Sequence, residues 1–322
     1  MALIQRLQPF CAVDLIGDDA AVLPANAADW VVTTDVLVDG VHFSDRTTPP
    51  ESVGWRAVAA NLSDLAAMGA SPVGITVGLS LPGTVPVTWV EAVYRGMATC
   101  LQTYGGAILG GDVVRSAQVS LAITALGRVT PGQAFYRHGA QPGDVIVVTG
   151  YHGASRAGLE LLLNPAAGAA LSPSVRGAWI EAHQRPRPRF DVVEVLRQIL
   201  NAYPTASMGA MDSSDGLANA ILHLCKASGV GARLVRSQLP FPPALVGWVG
   251  MAAAERWVLY GGEDFELVLC LPREIAQALV NQLGPTAAIV GTIQPDPGVY
   301  LVETPDVTTG ISLGWEDCFQ HF

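Results

Sequence analysis

The chain has 322 residues, enough for two hydrophobic cores rather than one. Half of them are apolar and 14% are charged, which excludes a disordered chain, and no apolar run approaches the ~20 residues of a membrane span. A formal charge of −10 argues against nucleic acid as a partner, because that binding depends on Lys and Arg displacing counterions.

In chain order, residues 1–16 carry a weak amphipathic signal, too short and too polar at its edges for a secretion signal, so a cytoplasmic protein is expected. Gly17-Asp18-Asp19 reads as a turn into a short strand, and Trp30–Val38 as a β-branched strand interrupted by Asp35 beside Thr33 and Thr34. Pro49-Pro50 opens a helix that Gly69 stops, with Asn61 and Asp64 three residues apart on one face. Gly74–Leu81 is a strand and Val87–Tyr104 a helix. Ala107–Leu109 reads as a short buried strand leaving through Gly110-Gly111-Asp112, and Val119–Gly127 as another strand. Residues 138–144 combine turn formers, placing a boundary between domains at 1–138 and 139–322.

The second half repeats the mixed pattern. Helices are expected over 154–163, 173–183, 190–200 and 216–227, and strands at 145–148 and near 206–211, 233–235, 265–271 and 287–293. The Arg185-Pro186-Arg187-Pro188-Arg189 run reads as an extended surface lead-in. Strands alternating with helices imply an α/β (α+β) fold in two domains. Five scattered cysteines without a C-x-x-C pair read as buried thiols.

Acids recur at the ends of apolar elements: Asp19, Asp35, Asp64, Asp112, Asp212, Asp215, Glu263 and Asp264. An unpaired carboxylate loses several kcal/mol of solvation in a buried strand, so the recurrence points to hard cations, which take oxygen ligands. Each element alone is also readable as a turn or, for Asp212–Gly216, as a helix cap. His42 is open between a substrate contact and a polar loop residue, and Arg137 between a phosphate ligand and a solvated cation. Lys226 is the only lysine, so a P-loop or protein-kinase mode of holding ATP is excluded. Phosphate charge would have to be met by arginine and metal.

The order Gly17–Leu23, Thr33–Phe43, Asn61–Ala70, Gly110–Asp112, Asp212–Leu217 and Gly261–Leu267 closely resembles the thiamine-monophosphate kinase family from about residue 16 to the C-terminus. The resemblance implies ATP-dependent phosphorylation of thiamine monophosphate to thiamine diphosphate. It implies the two-domain fold shared with aminoimidazole ribonucleotide synthetase, selenophosphate synthetase and a hydrogenase-maturation protein, with a homodimer formed by the N-terminal domains. Carried over residue by residue, it implies Mg2+ ligands at Asp19, Thr33, Thr34, Asp35, Asp64, Asp112, Asp212 and Asp215, with Asp35, Asp112 and Asp215 as the catalytic acids. It implies ATP contacts at Gly111, Asp112, Arg137 and Ser214, and substrate contacts at His42, Glu263 and Phe319. The chain departs from the pattern at Ala220, where an acid is common, and at Phe319, where Trp or Tyr is usual. The rivals are a same-fold ATP-using enzyme with another acceptor and a nucleotide-binding relative without turnover.

Overall fold

The computed structural model describes residue 19, the backbone of Ala21–Leu23, and residues 27–304, 306–307 and 309–318. Two compact units emerge from the packing. The first comprises the described residues of Ala20–Ala134 and Ser155–Pro188; the second, those of Met1–Asp19, Phe135–Ala154 and Arg189–Phe322.

The first unit holds β1 (Ala21–Leu23), β2 (Asp29–Val38), β3 (Ser71–Leu81), β4 (Ile108–Arg115) and β5 (Ser120–Val129) in the order β1-β2-β5-β3-β4. All pairings are antiparallel except β3 with β4. Helices α1 (Pro50–Ala67) and α2 (Val87–Tyr104) pack against each other, and α1 covers one face of the sheet. Period-2 alternation sends Val31, Val77, Leu79, Leu121 and Ile123 into that core, where Leu62 and Leu65 of α1 meet them. The two helices approach closely because glycine faces backbone in both directions. A Cβ on Gly54 would lie 1.9 Å from the Val93 carbonyl oxygen, and one on Gly96 would lie 1.8 Å from that of Glu51. Helices α3 (Ala154–Leu163) and α4 (Pro173–Gln184) follow, and α4 packs on α1. Trp55 Nε1 donates to the Pro186 carbonyl at 2.8 Å.

In the second unit, β6 (Val145–Val148), β7 (Gly209–Asp212), β8 (Gly231–Val235), β9 (Leu267–Leu271), β10 (Ala288–Gln294), β11 (Gly298–Val302) and β12 (Ile311–Ser312) form one mixed sheet ordered β12-β11-β8-β10-β6-β9-β7. Its helices are α5 (Phe190–Leu200), α6 (Leu217–Ser228), α7 (Leu245–Val249), α8 (Met251–Tyr260) and α9 (Arg273–Leu283). Every residue of β6, β7 and β9 is buried, in keeping with their nearly continuous apolar sequence.

Two expectations change. The strand expected at 107–109 runs on through Gly110-Gly111-Asp112 to Arg115 and is an exposed edge, not a buried strand with a loop exit. An edge needs only one partner, so poor strand formers are tolerated there. The Arg-Pro run is not a surface lead-in: Pro186 and Pro188 are buried, and Arg189 enters an ion-paired network. Helices α7–α9 and strands β11 and β12 lie in sequence that had given no clear signal. The four cysteines among the described residues are free and buried, as expected; Cys11 lies outside them.

Candidate functional site

In the first unit the acids sit where β2 meets α1. Thr33 Oγ1 donates to Asp64 Oδ2 at 2.5 Å, and the Asp35 N–H donates to Asn61 Oδ1 at 3.1 Å. Asn61 is fully buried, and its Nδ2 donates to the Ala57 carbonyl at 3.0 Å, so the helix orients the amide that orients the strand. The three-residue spacing of Asn61 and Asp64 thus serves a strand crossing the helix. Asn61 was noted in the sequence only for its spacing; its place in a strand–helix clamp needed the structure.

Alternation separates the remaining candidates of this unit. Thr34 projects from the opposite face of β2 to Thr33 and Asp35, and its hydroxyl donates to the Ile123 carbonyl at 2.8 Å. The cross-strand row through Asp35 runs Ile123, Val77, Gly111, whereas Asp112 lies in the row of Val36, Ala122 and Gly78. Asp112 is therefore on the other face from Asp35, and β4 is three strand spacings, about 14 Å, from β2 within the unit. Asp112 Oδ1 accepts from the Val113 N–H at 2.9 Å. Gly111 is required by packing: a Cβ there would sit 2.2 Å from the Val77 carbonyl oxygen.

His42 follows the turn after β2. Its Nδ1 accepts the Val38 N–H at 3.0 Å, so the neutral ring carries its proton on Nε2. The buried Arg56 of α1 donates to the carbonyls of His42 and His183, fixing the loop to the helix.

In the second unit, Asp19 and Arg137 meet: Nη2 donates to Oδ1 at 2.7 Å and Nε to Oδ2 at 3.4 Å, with the Asp19 side chain 2% exposed. Such a bidentate pair holds the guanidinium plane in place. Asp212 ends β7 and is 1% exposed; its Oδ1 accepts from Ser214 Oγ at 2.9 Å. Gly216, at φ 104°, is the N-cap residue that turns the chain into α6.

The Gly261–Leu267 run packs against this turn. The Glu263 N–H donates to the Ser214 carbonyl at 2.6 Å. Glu263 and Phe265 adopt φ of 57° and 53°, left-handed values costing non-glycine residues roughly 1–2 kcal/mol each. Asp264 Oδ2 accepts the Gly153 N–H at 2.6 Å. Glu266, missed in the sequence, is the anchor: its carboxylate takes Thr149 Oγ1 at 2.6 Å and the Arg189 guanidinium, and its carbonyl accepts Ser213 N and Oγ at 2.9 and 3.0 Å. No local signal links Arg189 to Glu266, 77 residues apart. His223 of α6 packs edge-on against Trp315 at 4.8 Å, and Lys226 Nζ lies 5.9 Å from the same ring, tying the C-terminal segment to that helix. Burial, then Arg137 and Lys226, holds His223 down at about 4. Phe319 lies outside the described residues.

His152, fully buried and 2.9 Å from Ser213 Oγ, is pushed by burial from 6.5 to about 4. Its depressed folded value means the unfolded chain takes the proton first. Its contribution is present above pH 6.5 and is lost as pH falls from 6.5 towards 4, approaching about 3 kcal/mol. Urea midpoints measured between pH 7 and 4 should fall steeply in the native chain and less steeply in His152→Gln; equal slopes would contradict this.

The donors in both units are carboxylate and hydroxyl oxygens, without thiolate or imidazole among the acids named from the sequence. That set fits a hard cation such as Mg2+ and not zinc or copper.

The model for AIR synthase related protein, N-terminal domain, matches residues 17–129, and that for AIR synthase related protein, C-terminal domain, matches residues 141–303. Thiamine-monophosphate kinase of Synechococcus elongatus is 47% identical over 99% of this chain and 95% of its own. A solved structure of AaThiL complexed with AMPPCP and TMP superposes with a TM-score of 0.81 at 31% identity, covering 96% of this chain and 95% of the other. HypE of E. coli, a hydrogenase maturation protein, has a TM-score of 0.70 at 22% identity over 97% of this chain and 96% of its own, a likeness of fold alone. No described helix is long and apolar enough to cross a membrane.

Proposed function

Because this chain belongs to the thiamine-monophosphate kinase family, we propose that it transfers the γ-phosphoryl group of ATP to thiamine monophosphate, giving thiamine diphosphate and ADP. The observation that carries this is the 47% identity to a kinase of that name over nearly the whole chain.

The nucleophile is an oxygen of the substrate phosphate, already ionised near neutral pH, so no strong general base is needed. The work is positioning and charge neutralisation. Several Mg2+ ions would be held by Asp19, Thr33, Asp35, Asp64, Asp212 and Asp215 and, from the other face of the first sheet, by Thr34 and Asp112, and would supply positive charge against which two anionic phosphates can approach. Asp35, Asp112 and Asp215 are the acids assigned to catalysis. Gly111, Asp112, Arg137 and Ser214 contact the nucleotide. Asp19 holds the Nε–Nη2 edge of Arg137, and the guanidinium meets phosphate oxygens through its other N–H groups. His42 presents Nε2–H to the substrate, and Glu263 and Phe319 complete its pocket. Transfer is direct and in line. With γ-labelled ATP the label should pass to thiamine diphosphate without residing on the chain; a labelled protein that chases into product would overturn direct transfer.

The reading includes a cytoplasmic location and a division at 138/139, with nucleotide and metal binding and dimerisation assigned to the N-terminal part and completion of the active site to the C-terminal part. The matched models, at 17–129 and 141–303, flank that junction. It also includes a homodimer. Support comes from β4, an edge strand with Leu109, Val113 and Val114 54%, 59% and 48% exposed, the kind of apolar edge that invites pairing with a second chain. Val114→Lys should shift the chain from dimer to monomer in light scattering, and an unchanged mass would remove β4 as the interface.

A further inference from the structure

The second unit carries a recess that the proposed chemistry does not use. It is a cavity of about 150 Å³ between β8, β10 and β11, bordered by the first residue of α9. Arg233 of β8 and Arg273 of α9 both line it, with Thr292 and Gln294 of β10 beside them, and the lining contains no carboxylate. In a chain with 28 acids against 18 lysines and arginines, two cations sharing a recess without a counter-charge is an unusual arrangement. Neither guanidinium has an ion pair or hydrogen bond among the described residues, whereas Arg236, just beyond β8, is paired with Glu255 and Glu303. An anion in the recess would give both arginines a shared counter-charge.

The polar neighbours are arranged for the same ligand. Gln294 Nε2 donates to Thr292 Oγ1 at 2.9 Å, which leaves the threonine O–H to donate onward. A register shift between Ile289 and Gly291 puts a bulge in β10 at the cavity floor, and bulges re-aim neighbouring side chains. Gly291 itself has no room for a side chain, since a Cβ would lie 2.2 Å from the Arg233 carbonyl oxygen. The volume falls below the ~300–1,000 Å³ of pockets for drug-sized molecules, so it suits a small anion or the anionic group of a larger one.

We propose that this recess binds a small oxyanion, a phosphate or carboxylate group, through Arg233, Arg273 and Thr292. It is separate from the acids at the end of β7: β8 and β7 are four strand spacings apart, about 19 Å. An oxyanion bound there ties β8 and β10 to the start of α9.

Calorimetric titration of the full chain tests it, with inorganic phosphate and malonate as probes at constant ionic strength. Wild type should bind one or both saturably, and Arg233→Gln and Arg273→Gln should each weaken binding by about tenfold or more. Arg273 is exposed, so its variant keeps the test valid should the half-buried Arg233 variant not fold. Arg137→Gln, a change at the other site, should leave the affinity in place. Tighter phosphate than malonate identifies a phosphoryl ligand and the reverse a carboxylate, both upholding the site. No saturable heat with either probe would overturn it. So would unchanged affinity in Arg273→Gln, or binding lost only in Arg137→Gln.

Discussion

Asp212→Asn is expected to reduce turnover by about 10²–10³-fold, the scale of losing one preorganised electrostatic contact, with little change in stability. The substitution is isosteric and keeps an oxygen for Ser214 Oγ to donate to, so the turn from β7 into α6 survives. What is lost is a negative charge, 1% exposed at a strand end, for a cation to balance. One readout separates this from misfolding. Mg2+ should raise the melting temperature of the native chain by mass action and raise that of Asp212→Asn much less. Full activity in the variant, or an undiminished Mg2+ shift, would remove Asp212 from the metal set.

Glu266→Ala is expected to cost about 2–3 kcal/mol of stability, because it removes a carboxylate that accepts from both the Arg189 guanidinium and Thr149 Oγ1 and leaves Arg189 with Asp191 as its remaining ion pair. The Arg189 and Glu266 side chains are only 14% and 16% exposed. Removing both charges differs: Arg189→Met with Glu266→Met should recover much of the loss, since paired desolvation costs largely cancel the attraction. Urea midpoints of the two single variants and the double variant give the coupling. Additive losses would show that the pair is not a unit. The effect also reaches the site, because the Glu266 carbonyl holds Ser213 between Asp212 and Ser214. Disturbing it should lower kcat more than the stability loss alone would suggest at a temperature where the chain is folded.

Local patterns carried much of the architecture. The helix beginning at Pro50 and the helix Val87–Tyr104 were legible from spacing and stop signals, and Asp35 stood out because it breaks a β-branched strand. What could not be read depends on partners distant in sequence. Strand β4 passes through Gly-Gly-Asp, residues that locally argue for a loop, because β3 supplies its ladder and demands the glycine at 111. Arg189 looked like one of three solvated arginines until Glu266 met it across 77 positions. The left-handed Glu263 and Phe265 are held by contacts with the Ser214 turn and the core, and nothing in their own identity announces it. The face separation of Thr33 and Asp35 from Thr34 follows from alternation; that of Asp112 followed only once β4 was paired in register.

The most direct test of the central claim is product analysis by chromatography. The chain would be incubated with thiamine monophosphate, ATP and Mg2+, with a chelator control and a free-thiamine control. The account predicts thiamine diphosphate formed from the monophosphate in equal amount to ADP, abolished by chelator, with none made from free thiamine. A folded, ATP-binding chain that makes no thiamine diphosphate, or makes it equally well with the metal removed, would contradict it.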